Sequence, residues 1–123
     1  MDASTDELQR LGRRGFSGAQ IPDGDGLFPV ALVYTRWWSC GVLDVVTVLG
    51  EHEAAGYRAG ELDPRRPEDL RGARVRWRTT GTVIEVAGAL LDLPAPPEGG
   101  IPISVRPADK RSAIRRAEEL WTP

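Results

Sequence analysis

Residues 29–59 read PVALVYTRWWSCGVLDVVTVLGEHEAAGYRA, and this stretch decides the fold. Residues 29–38 are rich in β-branched and aromatic side chains, and 42–49 are almost unbroken Val and Leu. Such runs favour strands, because branched and ring side chains pack well on a pleated surface. Gly41 separates the first two, and Gly50-Glu51-His52 has the composition of a hairpin turn before a third strand at 53–59. The reading is a three-stranded meander. Successive strand residues point to opposite faces. Tyr34, Arg36 and Trp38 therefore share one side of the first strand, and Ala31, Val33, Thr35 and Trp37 share the other. Trp37 and Trp38 cannot both enter a one-sided core, which leaves one of them exposed or beneath a terminal helix.

Downstream, residues 60–72 are polar and hold Pro64 and Pro67, a surface loop with room for one helical turn at 67–71. Residues 73–79 then alternate cleanly. Ala73, Val75, Trp77 and Thr79 fall on one face, and Arg74, Arg76 and Arg78 on the other, as in a half-buried strand with a cationic outer side. Thr82 and Glu85 have capping-box spacing and open a helix over 82–92, whose Val83, Ile84, Val86, Ala87, Leu90 and Leu91 recur at helical intervals over a wide face. This helix is expected to cover the buried face of the sheet. Residues 94–106 are rich in Pro and Gly, with a short edge strand accommodated at 101–105. Pro107 suits the first position of a final amphipathic helix over 107–121. Upstream, Ser4 and Glu7 cap a short helix at 5–13, held by two leucines, and the Gly-rich segment 15–26 reads as loop.

The expectation is one α+β domain, an antiparallel sheet of four to five strands (about 29–38, 42–49, 53–59, 73–79, with 101–105 the fifth) on the helix at 82–92. Within it, 1–26 carry the short helix and loop, 27–93 the core, 94–106 a connection and 107–123 the terminal helix. A length of 123 residues suits one core.

Composition narrows the function classes. Sixteen basic side chains against 18 acidic ones leave a net charge of −2, which argues against coating nucleic acid or membrane by bulk attraction. Lys110 is the one lysine and there is no Asn, a bias that GC-rich codons explain and that points to a bacterial source. The sequence lacks a basic start followed by an apolar run, and no apolar stretch approaches the roughly 20 residues of a membrane span. One Cys excludes a disulfide framework and fits a reducing compartment, so the cytoplasm is expected.

No familiar chemical motif is assembled. His52-Glu53 begins a zincin pattern, but position 56 is Gly and there is no second His, so no metal is expected. Asp23-Gly24-Asp25-Gly26 lacks the later ligands of a calcium loop, and no phosphate loop or dinucleotide fingerprint occurs, so no cofactor is expected. Cys40 and His52 flank a strand whose ends lie roughly 25 Å apart, too far for a nucleophile–base pair. Asp44, inside an apolar strand, belongs either at an exposed strand start or against an arginine across the sheet.

One surface stands out. Arg74, Arg76 and Arg78, joined by Tyr34, Arg36, Trp38 and Arg58 from neighbouring strands, combine the residue types enriched at protein interfaces. The terminal helix adds Arg111, Arg115 and Trp121. The favoured reading is a non-catalytic interaction domain that binds a partner protein or a second copy through this sheet face and the C-terminal helix. The alternative is an anion or single-stranded nucleic-acid binder that uses Arg74, Arg76 and Arg78 with Tyr34 and Trp38 as stacking platforms. A small enzyme is a third, less favoured reading. The plainest account of the arginines is a solvated face whose stems cover aromatic rings.

Overall fold

The computed structural model describes residues 3–22, 29–62 and 74–103. It contains α1 (Ala3–Arg13), β1 (Ser17–Pro22), β2 (Pro29–Trp38), β3 (Leu43–Gly50), β4 (Glu53–Gly60), β5 (Arg74–Gly81), α2 (Val83–Leu91) and β6 (Pro102–Ile103). The expected α+β architecture is present. The sheet is antiparallel in the order β1-β2-β3-β4-β5, with β6 pairing the end of β2. The expected helix at 107–121, with Arg111, Arg115 and Trp121, and the turn at 67–71 lie outside the described residues.

The meander forms as its turns dictate. At Gly41 the φ of +85° suits glycine, and a Cβ there would lie 2.0 Å from the carbonyl oxygen of Leu62. The Leu62 amide donates to the Gly41 carbonyl across the same approach. One expectation is corrected upstream. Residues 17–22, read as loop from their Gly and Pro content, form β1, which pairs with β2 from Ser17↔Thr35 to Ile21↔Ala31. Gly18 reflects packing rather than a turn, because the Tyr34 ring occupies the space where its side chain would stand.

The core is two-sided, which corrects the one-sided expectation. Ala31, Val33, Trp37, Leu43, Val45, Tyr57, Ala59 and Leu62 form a cluster on one side of the sheet. Leu11, Phe16, Val46, Val48, Ala54 and the buried positions of α2 form a second cluster on the other side. Trp37 and Trp38 are both buried. The unbroken Val/Leu run of β3 records this: a strand covered on both faces does not alternate.

Helices α1 and α2 pack together on the second cluster. The predicted capping box opens α2. The Glu85 amide donates to Thr82 Oγ1 (3.2 Å), and the Thr82 amide donates to Glu85 Oε1 (3.4 Å). At Gly56 of β4 a Cβ would come within 2.7 Å of Leu90 and 2.8 Å of Val86, so the absent side chain lets α2 settle onto the sheet.

Strand β5 departs from its alternation. Trp77 pairs with Arg58, but the next rung joins Val75 to Ala59, so Arg76 is an extra residue in the ladder. Such a bulge reverses the facing of everything beyond it. Val75 and Trp77 therefore do not share a face. Trp77 packs against the second cluster, whereas Val75 is 38% exposed.

Candidate functional site

The antiparallel register sets Arg36 of β2 opposite Asp44 of β3, and Asp44 opposite Arg58 of β4. Paired residues point to the same side of a sheet, so two guanidinium groups converge on one carboxylate. Asp44 Oδ2 accepts from Arg36 Nε (3.2 Å), Arg36 Nη2 (2.9 Å), Arg58 Nη2 (3.0 Å) and Trp38 Nε1 (2.9 Å). Arg58 Nε donates to Oδ1 at 2.6 Å. Trp38 stands two residues from Arg36 and so on the same side of β2.

The cluster also ties distant segments to the sheet. Arg36 Nη1 donates to the carbonyl of Arg14, just past the end of α1 (3.0 Å). Arg58 Nη1 donates to the carbonyl of Pro94, just past α2 (2.7 Å). The Arg36 guanidinium lies over the rings of Phe16 (4.5 Å) and Trp38 (4.9 Å), where the ring faces attract it. Asp44 is fully buried, with Arg36 5%, Arg58 6% and Trp38 8% exposed. Burial pushes the Arg36 guanidinium below its ordinary pKa, against the opposing hydrogen bond and charge of Asp44.

This geometry is a structural cross-link. A carboxylate offers about four lone-pair sites, and Asp44 already receives five N–H donors. Four of these converge on Oδ2 and one on Oδ1, so the carboxylate anchors both guanidinium groups and the indole.

The cluster also relocates much of the surface expected from sequence. Tyr34, Arg36 and Trp38 do share a side of β2, and Arg58 joins them, but that side is the one under α1, α2 and the segment after α2. Tyr34 is half-buried, with burial pushing its hydroxyl pKa upward, and its ring lies against Gly18. Arg36, Trp38 and Arg58 are interior, so Trp38 is not a free platform for a nucleic-acid base. Cys40 and His52 lie before and after β3, at opposite ends of that strand, as expected. Among the described residues no group of three or more His, Cys, Asp and Glu side chains could hold a metal ion. None of the described helices is long and apolar enough to cross a membrane.

What remains at the surface is β5. It ends the strand order on one side of the sheet, and Arg74, Val75, Arg76, Arg78 and Thr80 are exposed. Arg74 Nε meets Glu61 at 3.1 Å. Arg76 holds Glu98 in a two-pronged pair, with Nη1 donating to Oε1 at 2.8 Å and Nη2 to Oε2. The Arg76 guanidinium holds the Glu98 carboxyl down at about 2, and the Glu98 hydrogen bond in turn raises the Arg76 pKa. Arg78 has no acid partner among the described residues. Sequence reasoning found these arginines but not Glu98, which lies 22 residues from Arg76 in a Pro/Gly segment without periodicity.

A comparison with known proteins finds no family model that matches this chain, no curated protein that matches it and no solved structure that matches it.

Proposed function

We propose that this chain is a non-catalytic protein-interaction domain whose partner docks along the outward side of β5. The observation that carries this reading is the contrast between strands. Leu43–Val48 of β3 and all but the first residues of β4 are largely buried, whereas β5 is exposed at alternate and adjacent positions. Its eight residues hold three arginines and no acid. Arginine recurs at interface hot spots, because its planar fork binds carboxylates with defined geometry.

The partner is a different protein rather than a second copy. Antiparallel addition of β5 to itself about a two-fold axis would bring three arginines of one strand alongside three of the other, with no acid in either strand. Edge charges and a bulge such as that at Arg76 are devices that discourage self-pairing. The Arg-over-Lys composition and the single free cysteine support a bacterial cytoplasmic setting for this partnership.

A photo-crosslinking residue at position 78 or 80, introduced in the native host, should give one defined heterologous adduct. The same residue at Arg13 on α1 should give none. Adducts from Arg13 alone, or from none of the three positions, contradict the proposal.

A further inference from the structure

The Arg76–Glu98 pair carries a more specific statement, which rests on the β5 docking reading. Glu98 reaches Arg76 from an exposed segment that turns immediately afterwards through Gly99 and Gly100, at φ +85° and +94°. These values favour glycine and turn the chain directly behind Glu98, with Gly100 packed against Ser39 and Cys40. The Arg76 guanidinium in turn lies against Gly60, where a Cβ would stand 2.2 Å from Arg76 Nε. The arginine is thus backed by β4 and presents its fork to a carboxylate. That carboxylate comes from the chain itself, and it is partly exposed at 40%.

Charge on the surrounding groups is unbalanced. Among the described residues, Arg36 and Arg58 share the single carboxylate of Asp44. The electrostatic reach of Arg58 extends to Glu98, whose carboxyl it helps to hold ionised. Among the described residues, Arg74 is paired with the exposed Glu61 and Arg78 has no acid partner. Because of the bulge, Arg74 and Arg76 lie on the Gly60 side of β5 and Arg78 on the Tyr57 side, so the pattern complements an extended segment that carries acids toward both sides.

We infer that the partner presents an acidic extended segment to β5, and that one of its carboxylates replaces Glu98 on Arg76. Glu98 is then an internal competitor that keeps Arg76 oriented until the partner arrives. The exchange swaps one carboxylate for another on the same guanidinium, so the pair is neither lost nor left unsatisfied. A self-contact of this kind weakens binding of every acidic segment and favours one with further acids for Arg74 and Arg78.

The test uses the whole chain and a fluorescein-labelled ten-residue Glu/Thr peptide with acids at both odd and even positions, with a Lys-for-Glu peptide as control, followed by fluorescence anisotropy at low salt. The acidic peptide should bind and the basic one should not. Glu98→Gln, an exposed substitution, should tighten acidic-peptide binding about two- to fivefold, the factor expected when one partly exposed ion pair no longer competes. Arg78→Glu, also exposed, should weaken it in both backgrounds. Equal or weaker binding by Glu98→Gln, with Arg78→Glu still weakening it, overturns the competitor role and leaves the β5 docking reading intact. No binding of the acidic peptide to either protein, or preference for the basic peptide, overturns both.

Discussion

Replacing Asp44 by Asn removes one charge while keeping the size and shape of the side chain. The amide oxygen can still accept a hydrogen bond, but the amide nitrogen is a donor aimed at guanidinium groups that are themselves donors only. Two cations then remain within a few ångströms of each other in the interior with no anion between them. Breaking a buried ion pair by removing one partner costs about 3–5 kcal/mol. No discount for solvent applies, since Asp44 is fully buried and both arginines are at most 6% exposed. Against the roughly 5–15 kcal/mol of a typical domain this is a large fraction. With unfolding entropy near 2.1 cal/mol/K per residue over 123 residues, the melting temperature should fall by about 12–20 °C. Circular dichroism melts and urea titrations at pH 7 measure it. A shift below about 4 °C, equivalent to roughly 1 kcal/mol, would refute the reasoning. The triple variant Arg36→Met/Asp44→Leu/Arg58→Met should recover only part of the loss: apolar groups often replace a buried triad at little cost, but Trp38 Nε1 and the Arg14 and Pro94 carbonyls lose their partners.

Further outcomes follow from single contacts. Gly41→Ala forces a side chain into φ +85° and against the Leu62 carbonyl, and should destabilise by roughly 3 kcal/mol or more in the same urea titration. Thr82→Ala removes the α2 cap and should cost about 1 kcal/mol. Glu98 has its folded pKa depressed, so whatever the pair contributes is present above the ordinary value of 4.5 and is lost as pH falls through about 2. A carboxyl ¹³C titration should show a midpoint near 2 in the native chain and a clearly higher one in Arg76→Met, where the backbone hydrogen bond and Arg58 are what still lower it. Equal midpoints would contradict the pairing.

The strands of the meander, β5 and α2 were legible because each is specified locally: by branched runs between glycines, by alternation at 74–79, and by Thr82 with Glu85. Strand β1 was not, because Gly18 is there for the Tyr34 ring, a contact 16 residues away that no local pattern announces. The Asp44 cluster was half legible. Asp44 interrupts an apolar run, and an arginine partner across the sheet was among its expected placements. That two arginines would meet it depended on register on both sides of β3. The same burial removed Arg36, Arg58 and Trp38 from the surface, since alternation assigns residues to a face but not a face to water. The bulge at Arg76 broke the arginine row through a one-residue shift that periodicity over seven residues cannot foresee. Glu98 left no signal, because its role comes from a loop folding back onto β5.

The most direct test of the interaction account is an amide-resolved NMR titration of the ¹⁵N-labelled chain with the same Glu/Thr peptide. The account predicts shifts concentrated at residues 74–81 of β5, at Gly60 and Glu61 beside it, and at Glu98–Gly100, with α1 unmoved. Shifts absent from β5, or centred on α1, would contradict it.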